Sequence, residues 1–187
     1  MSEIYRKALD LFVKNGYHST PMAMIAKVAG MSSGNLFYYC SSKENLLYEI
    51  HLNHLHKHFV PILLEAERLA DPIDRIRTFL GKFTLVTASD PATTVLVEEM
   101  RSLSRGHREE IEKVWRRGYE LLHEAIEELQ RGGKARKGRE SFLAFIGASM
   151  AFWVVRWFDY SRRANAEELA ETVVQTFLSG LLAAPGE

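Results

Sequence analysis

The sequence has one cysteine in 187 residues, Cys40, so no intrachain disulfide can form, and a reducing compartment, the cytoplasm, is the expected setting. No apolar run approaches the roughly 18 residues that a spanning helix requires. Neither a membrane span nor a secretory leader is therefore expected. Charge of one sign is missing as well, because 24 Lys and Arg balance 24 Asp and Glu. That balance excludes a chain that attracts nucleic acid by overall charge alone. There is no internal repeat and no low-complexity tract. No nucleophile–base motif, phosphate-cradling glycine loop or complete metal set is visible, so neither a cofactor nor a metal is expected.

What is present is ordinary for a helical globule: 47% hydrophobic and 26% charged residues, in a chain long enough to bury a core without staples. The organising stretch lies between Ala23 and Tyr39. Ile25, Ala26 and Ala29 are small or apolar at helical spacing, and Gly30 stops that helix. Ser32 is a good N-cap for a second helix, Ser33 to Tyr39, anchored inward by Leu36. Two helices across a glycine turn read as a helix-turn-helix, whose second helix enters the major groove. Asn35 can bond adenine bidentately, Ser33 can serve either base type, and Gly34 lets the backbone come close. Phe37, Tyr38 and Tyr39 can meet thymine methyls or phosphates.

The segment from Tyr17 to Leu47 resembles the DNA-binding domain of the tetracycline-repressor family of bacterial transcription regulators. The resemblance rests on Pro21, Ile25-Ala26, Ala29 through Ser32, Gly34 through Cys40, and Ser42 through Leu47. It implies an all-α chain, with a DNA-binding domain over residues 1–47 and an effector-binding, dimerising helical domain over 48–187. The helix-turn-helix spans Pro21 to Cys40. The DNA contacts implied are Thr20, Ser32, Ser33, Gly34, Asn35, Phe37, Tyr38, Tyr39 and Lys43. Three positions depart from the family's pattern. Pro21 replaces a hydroxyl residue, Ala23 stands where a basic or polar contact is common, and Ser33 stands where Lys or Arg is frequent. Residues 1–60 hold six Lys/Arg against four acids, so affinity has to come from local placement and from two copies acting together.

The order of the chain supports these expectations. Ser2 to about Asn15 reads as a first helix with Ile4, Ala8, Leu11 and Phe12 inward. Thr20-Pro21 reads as N-cap and first residue of the next, and the resemblance implies that Thr20 also reaches a phosphate. Ser41 with Glu44 reads as a capping box opening a helix that runs to the mid-60s and is kinked or split by Pro61. His51, His54, His56 and His58 crowd that helix. Their spacing can clamp zinc, but a structural site takes four ligands, and they read as a polar face. Cys40 reads as a buried small hydrophobe rather than a redox switch.

Further helices are expected from Asp71 to about Ala88, from Asp90-Pro91, and from about His107 to Gln130. Arg131 to Arg139 is a basic, glycine-rich surface connector. Ser141 to Tyr160 is apolar nearly all round and must be covered on several sides. Gly147, Ala148 and Ser149 would admit a close neighbour. Asn165 caps a last helix with Leu169, Val173, Thr176, Phe177, Gly180 and Leu181 inward. The resemblance makes these last two helices a homodimer interface, and a palindromic double-stranded operator suits such a dimer.

The resemblance also implies an effector pocket among the later helices. Phe83, Met100, Trp115, Tyr119, His123, Phe152, Trp153 and Arg156 are expected there, with Tyr119, His123 and Arg156 as its polar groups. Arg156, in an apolar turn, needs a partner: an acid such as Glu98, Glu99 or Asp159, or an anionic ligand group. The expected ligand is a small, largely apolar compound of fatty-acyl type. Its binding would favour a different spacing of recognition helices that otherwise sit about 34–36 Å apart, and so release the DNA. Two other classes stay open: a helical protein-interaction module with a weakened DNA-binding domain, and a helical enzyme.

Overall fold

Helix ends in this protein follow short-range chemistry, visible in a computed structural model that describes residues 2–157 and 165–182, with the side chains of 2 and 154–157 outside the description. Among the described residues every long element is α-helical, as expected. The helices are α1 (Ser2–Asn15), α2 (Met22–Ala29), α3 (Ser33–Tyr39), α4 (Lys43–His54), α5 (Val60–Glu67), α6 (Pro72–Ser89), α7 (Pro91–Glu98), α8 (Arg105–Arg131), α9 (Glu140–Trp157) and α10 (Ala166–Leu181). Asp71 caps α6 by accepting from Ile73 N at 2.7 Å, and Asn165 caps α10 by accepting from Glu167 N at 2.9 Å. Both side chains satisfy donors that the first helical turn leaves orphaned.

Two caps fall elsewhere than expected. Pro21, not Thr20, occupies the capping position of α2, and no side chain bonds there. Ser42 rather than Ser41 caps α4, accepting from Asn45 N at 2.9 Å. The Ser41–Glu44 capping box therefore does not form. Pro61 splits the long helix, as one of the two expected outcomes, into α4 and α5. The break is a π-turn, Leu55–Phe59, ahead of the proline. A proline cannot donate to the preceding turn, and a π-turn is one way to accommodate the missing bond.

The chain gathers into two compact units, Met1–His56 with Pro91–Glu112, and Lys57–Asp90 with Lys113–Glu187. The division differs from one at Leu47, because α7 and the start of α8 pack with the amino-terminal helices. In the first unit, α1 packs on α2, α4 and α7. Its core holds Tyr5, Phe12, Ile25, Leu36, Leu46 and Leu96, all buried. His51 and His54 belong to that core too, which corrects their reading as a polar face. His54 Nε2 lies 3.0 Å from Thr93 Oγ1. Burial, with His54 nearby, pushes the His51 imidazole down to about 3.

In the second unit α6 is central, packed by α5, α9 and α10. Ala144, Gly147 and Ala151 form the inward side of α9. Gly147 is required there, since an added Cβ would stand 2.8 Å from Cζ of the Phe177 ring. On α10, Val173, Phe177 and Leu181 are inward as expected, but Thr176 and Gly180 face outward. The basic connector is exposed apart from Ala135, which pairs with Leu182 in an isolated β-bridge. No helix among the described residues is long and apolar enough to cross a membrane.

Candidate functional site

Gly30 ends α2 at φ 75°, a left-handed conformation that glycine adopts without penalty. Ser32 then turns the chain and accepts from Asn35 N at 3.2 Å, which starts α3. Leu36 is fully buried beneath α3. It is the single inward anchor of that helix. Ser33, Gly34, Asn35, Phe37, Tyr38 and Tyr39 are all exposed, as is Ser32. Tyr38 is 87% exposed, and its ring meets that of Tyr39 edge-on at 5.7 Å. Three aromatic rings left in solvent on a seven-residue helix mark a surface with a partner. The helix carries no charged side chain, so its contribution is shape and hydrogen bonding.

Directly after α3, Cys40 is buried, and its thiol donates to the Leu36 carbonyl at 3.2 Å. Burial raises the thiol pKa.

Thr20 does not stand with the exposed set. It is fully buried, and its hydroxyl donates to Gly16 O at 2.8 Å. Its amide donates to Tyr17 O at 3.1 Å. Neither donor can reach a phosphate. Thr20 is instead a knot that holds α1 and the entry to α2 together. Lys43 is half-buried, donates to His18 O at 3.2 Å, and lies 4.4 Å over the Tyr17 ring. Its ammonium braces the same corner from outside.

A carboxylate–histidine clasp secures the other end of this unit. Glu44 accepts from Ser104 N at 2.7 Å and sits 2.9 Å from His107 Nδ1. Burial raises the Glu44 pKa, but the Ser104 amide and His107 outweigh it, and the net shift is downward. The His107 ring stacks on Tyr48 at 3.9 Å, and Tyr48 donates to Glu110. That hydrogen bond and burial push the Tyr48 phenol up to about 12. Glu99 meets His18 at 3.4 Å and accepts from Ser102 at 2.6 Å.

The second unit holds an aromatic cluster. Phe83 lies 5.6 Å from Trp115, and Trp115 lies 5.9 Å from Phe152. Three effector candidates are thus brought together. Phe59, at 4.6 Å from Trp115, and Phe79, at 5.8 Å from Phe83, complete the cluster. Helical periodicity does not point to Phe59, because it closes the π-turn, where that periodicity gives no reliable phase. Tyr119 and His123 are half-buried neighbours, 6.1 Å apart, and Tyr119 donates to Ser141 O at 3.4 Å. Trp153 is 58% exposed on α9 and does not join the cluster. Met100 belongs to the other compact unit. The side chain of Arg156, and all of Asp159, lie outside the described residues.

Gly118 seals one side of the cluster. An added Cβ there would stand 2.6 Å from Phe79 Cζ and 2.8 Å from Phe59 Cζ. In an open helix, Gly→Ala usually stabilises by about 0.5–1 kcal/mol. Gly118→Ala should do the opposite, costing on the order of 1 kcal/mol by overpacking. Thermal melting would read this as a fall of a few degrees. Phe79→Leu in the same chain should return part of it, as coupled neighbours do. A rise in melting temperature for Gly118→Ala alone would show that the rings have room.

The family profile described as bacterial regulatory proteins of the tetR family matches residues 4–50, and the one described as the tetracyclin repressor-like C-terminal domain matches residues 69–181. The fatty acid metabolism regulator protein of Bacillus subtilis is 21% identical, over 96% of this chain and 94% of its own. PfmR, a regulator from Thermus thermophilus, is 28% identical with a TM-score of 0.86, over 95% of this chain and 97% of its own. AibR, solved with isovaleryl coenzyme A and operator DNA, is 23% identical with a TM-score of 0.85, over 94% of this chain and 96% of its own. At that lower identity the likeness is one of fold.

Proposed function

We propose, for a chain that belongs to the tetracycline-repressor family of bacterial transcription regulators, that it represses transcription from a palindromic operator until a small acyl compound binds its carboxyl-terminal helices. The observation that carries the DNA half of this reading is the arrangement of α3. One residue, Leu36, is buried, and every other side chain of the helix is presented outward. Asn35, Ser33 and Gly34 lead into the major groove, Phe37, Tyr38 and Tyr39 contact thymine methyls and phosphates, and Ser32 sits at the backbone. Lys43 contributes charge at the edge of the site. In this reading residues 1–47 bind DNA, and residues 48–187 dimerise and bind the effector.

Two copies pair through α9 and α10. Phe142, Phe145, Ile146 and Trp153 are exposed along α9, a face that a lone chain leaves in water. The effector reading draws on the aromatic cluster around Trp115 and on relatives that handle acyl compounds. AibR was crystallised with isovaleryl coenzyme A, and FadR from Bacillus subtilis with stearoyl-CoA. The protein acts in the cytoplasm, where its operator is, and carries out no chemistry on the effector.

Selection from a random DNA pool, followed by anisotropy on the selected duplex, tests the reading. Asn35→Ala and Tyr39→Ala should each cost about tenfold or more in specific affinity, the scale of a lost base contact. Specific binding should also fall steeply with salt. A folded dimer that selects no sequence from the pool would overturn it, and would favour an interaction module with a helix-turn-helix that no longer reads DNA.

A further inference from the structure

We propose that the Thr84 hydroxyl is the polar anchor of the effector site and donates a hydrogen bond to an uncharged carbonyl oxygen on an otherwise apolar ligand. The inference rests on the effector reading above and narrows it to one atom and one kind of functional group.

Thr84 lies on α6 immediately after Phe83, a member of the aromatic cluster. It is fully buried, and its Oγ1 has no hydrogen-bond partner. That is unusual for a helical threonine, which can satisfy itself by donating back to the carbonyl four residues earlier. Thr172 on α10 does this, reaching Glu168 O at 2.8 Å. Thr84 does not reach Leu80 O. Its hydroxyl is left without a partner in the interior, where buried polar groups are otherwise almost always paired.

One turn further, Thr87 is also fully buried, but its hydroxyl is engaged, 2.9 Å from Thr84 O and 3.2 Å from Ala151 O. Thr87 therefore fixes α6 against α9 and is not available as a donor. Thr84 is. Among the described residues of this unit, Thr84 and Thr87 are the two buried polar side chains, and both are uncharged. A carboxylate brought to this place would meet no buried cation among them, and an unpaired buried charge is strongly disfavoured. A thioester, ester or ketone oxygen needs only one donor, which Thr84 supplies. This differs from the acidic ligand end that Arg156 suggests in the sequence.

The test is calorimetric titration of the full chain and of Thr84→Val and Thr84→Ser. The probes are isovaleryl coenzyme A, stearoyl coenzyme A, stearate, methyl stearate and progesterone. The wild-type protein should bind at least one neutral carbonyl probe, and methyl stearate more tightly than stearate. Thr84→Val should weaken the bound probe about tenfold, and Thr84→Ser by no more than about threefold. Ligand-free Thr84→Val should melt at or above the wild-type temperature, since the isostere removes a hydroxyl that bonds nothing. Binding of thioesters but not progesterone assigns the carbonyl to an acyl group, and the reverse assigns it to a ring ketone. Equal affinity of wild type and Thr84→Val, or tighter binding of stearate than of its ester, would overturn the assignment of Thr84 alone. A wild-type protein that binds none of the neutral probes would overturn the carbonyl effector and the anchor together. A lower melting temperature for ligand-free Thr84→Val would overturn the anchor too, by showing that the hydroxyl is already bonded within the protein.

Discussion

Phe145→Glu combined with Trp153→Glu should yield a folded, helical monomer whose operator affinity has dropped by about a hundredfold or more. Phe145 is 66% exposed and Trp153 58% exposed, on an outward face of α9 shared with Phe142 and Ile146. The inward face of the same helix is built from Ala144, Gly147 and Ala151, so the large side chains are outside and the small ones inside. A chain that stayed alone in water would favour the opposite arrangement. Burying each large apolar side chain against a second copy stabilises by about 1.5–3 kcal/mol, and a two-fold axis uses every such residue twice. Four carboxylates placed in that interface lose solvation without gaining a partner. Because neither residue supports the chain's own core, the monomer should keep its circular dichroism and most of its melting temperature. DNA affinity falls because the second half-site contact becomes a separate event rather than a tethered one. Sedimentation velocity, read beside anisotropy, decides the matter. A dimer that survives the double substitution places the interface elsewhere, and a monomer with undiminished affinity means that one half-site suffices. Phe145→Leu keeps the apolar face and should remain dimeric.

Acid should destabilise the amino-terminal unit by about 2 kcal/mol at pH 5 relative to neutral pH through His51 alone. The folded imidazole titrates near 3, against an ordinary 6.5, because burial disfavours its charged form and His54 is close by. Below pH 6.5 the unfolded chain takes up a proton that the folded chain refuses. Stability is therefore whole above 6.5, declines as pH falls through that value, and stops declining near the folded pKa. Glu44 behaves as a depressed carboxylate, so its contribution is present above the ordinary carboxylate range of about 4.3 and is lost only below it. The two windows are distinct. His58 is also lowered by burial, so the sum over the protein exceeds the share of His51. The measurement is urea denaturation at a series of pH values for wild type, His51→Gln and His51→Leu. Each variant should be flatter than wild type between pH 7.5 and 5 by about the stated amount, whatever its stability at neutral pH. Unchanged slopes in both would mean that His51 is protonated in the folded protein.

The parts of this protein that could be read from its sequence are those decided within one helical turn. Gly30, Ser32, Asp71 and Asn165 each end or start a helix through a bond to a residue two to four positions away, and each does so where expected. Leu36 stands out because it is the one aliphatic residue in a short polar and aromatic segment. Adjacent candidates defeat the same reasoning. Ser41 and Ser42 both suit a cap, and the Glu44 that would complete a box with Ser41 is drawn off by Ser104 and His107, some sixty positions along the chain. Thr20 looked available for a phosphate because nothing local shows that Gly16 O would take its hydroxyl. The histidines of α4 read as a wet face, since no local pattern reveals that α7 packs over them. The aromatic cluster was half legible: Phe83, Trp115 and Phe152 by their type, Phe59 not at all, because the π-turn shifts the phase on which periodicity depends.

Cys40 gives the recognition helix a clock. The residue is 3% exposed, its thiol proton is engaged with Leu36 O, and burial holds it in the thiol form. An alkylating reagent can reach it only when the carboxyl end of α3 lifts away from the core. The rate of alkylation under native conditions is then a direct record of how often that end opens, and the ratio to the rate for an unstructured thiol converts the record into an opening free energy. With one thiol in the chain, no second signal overlaps it. Operator DNA pressed against α3 should lengthen the interval between openings, which makes DNA engagement measurable without any label on the protein or the duplex.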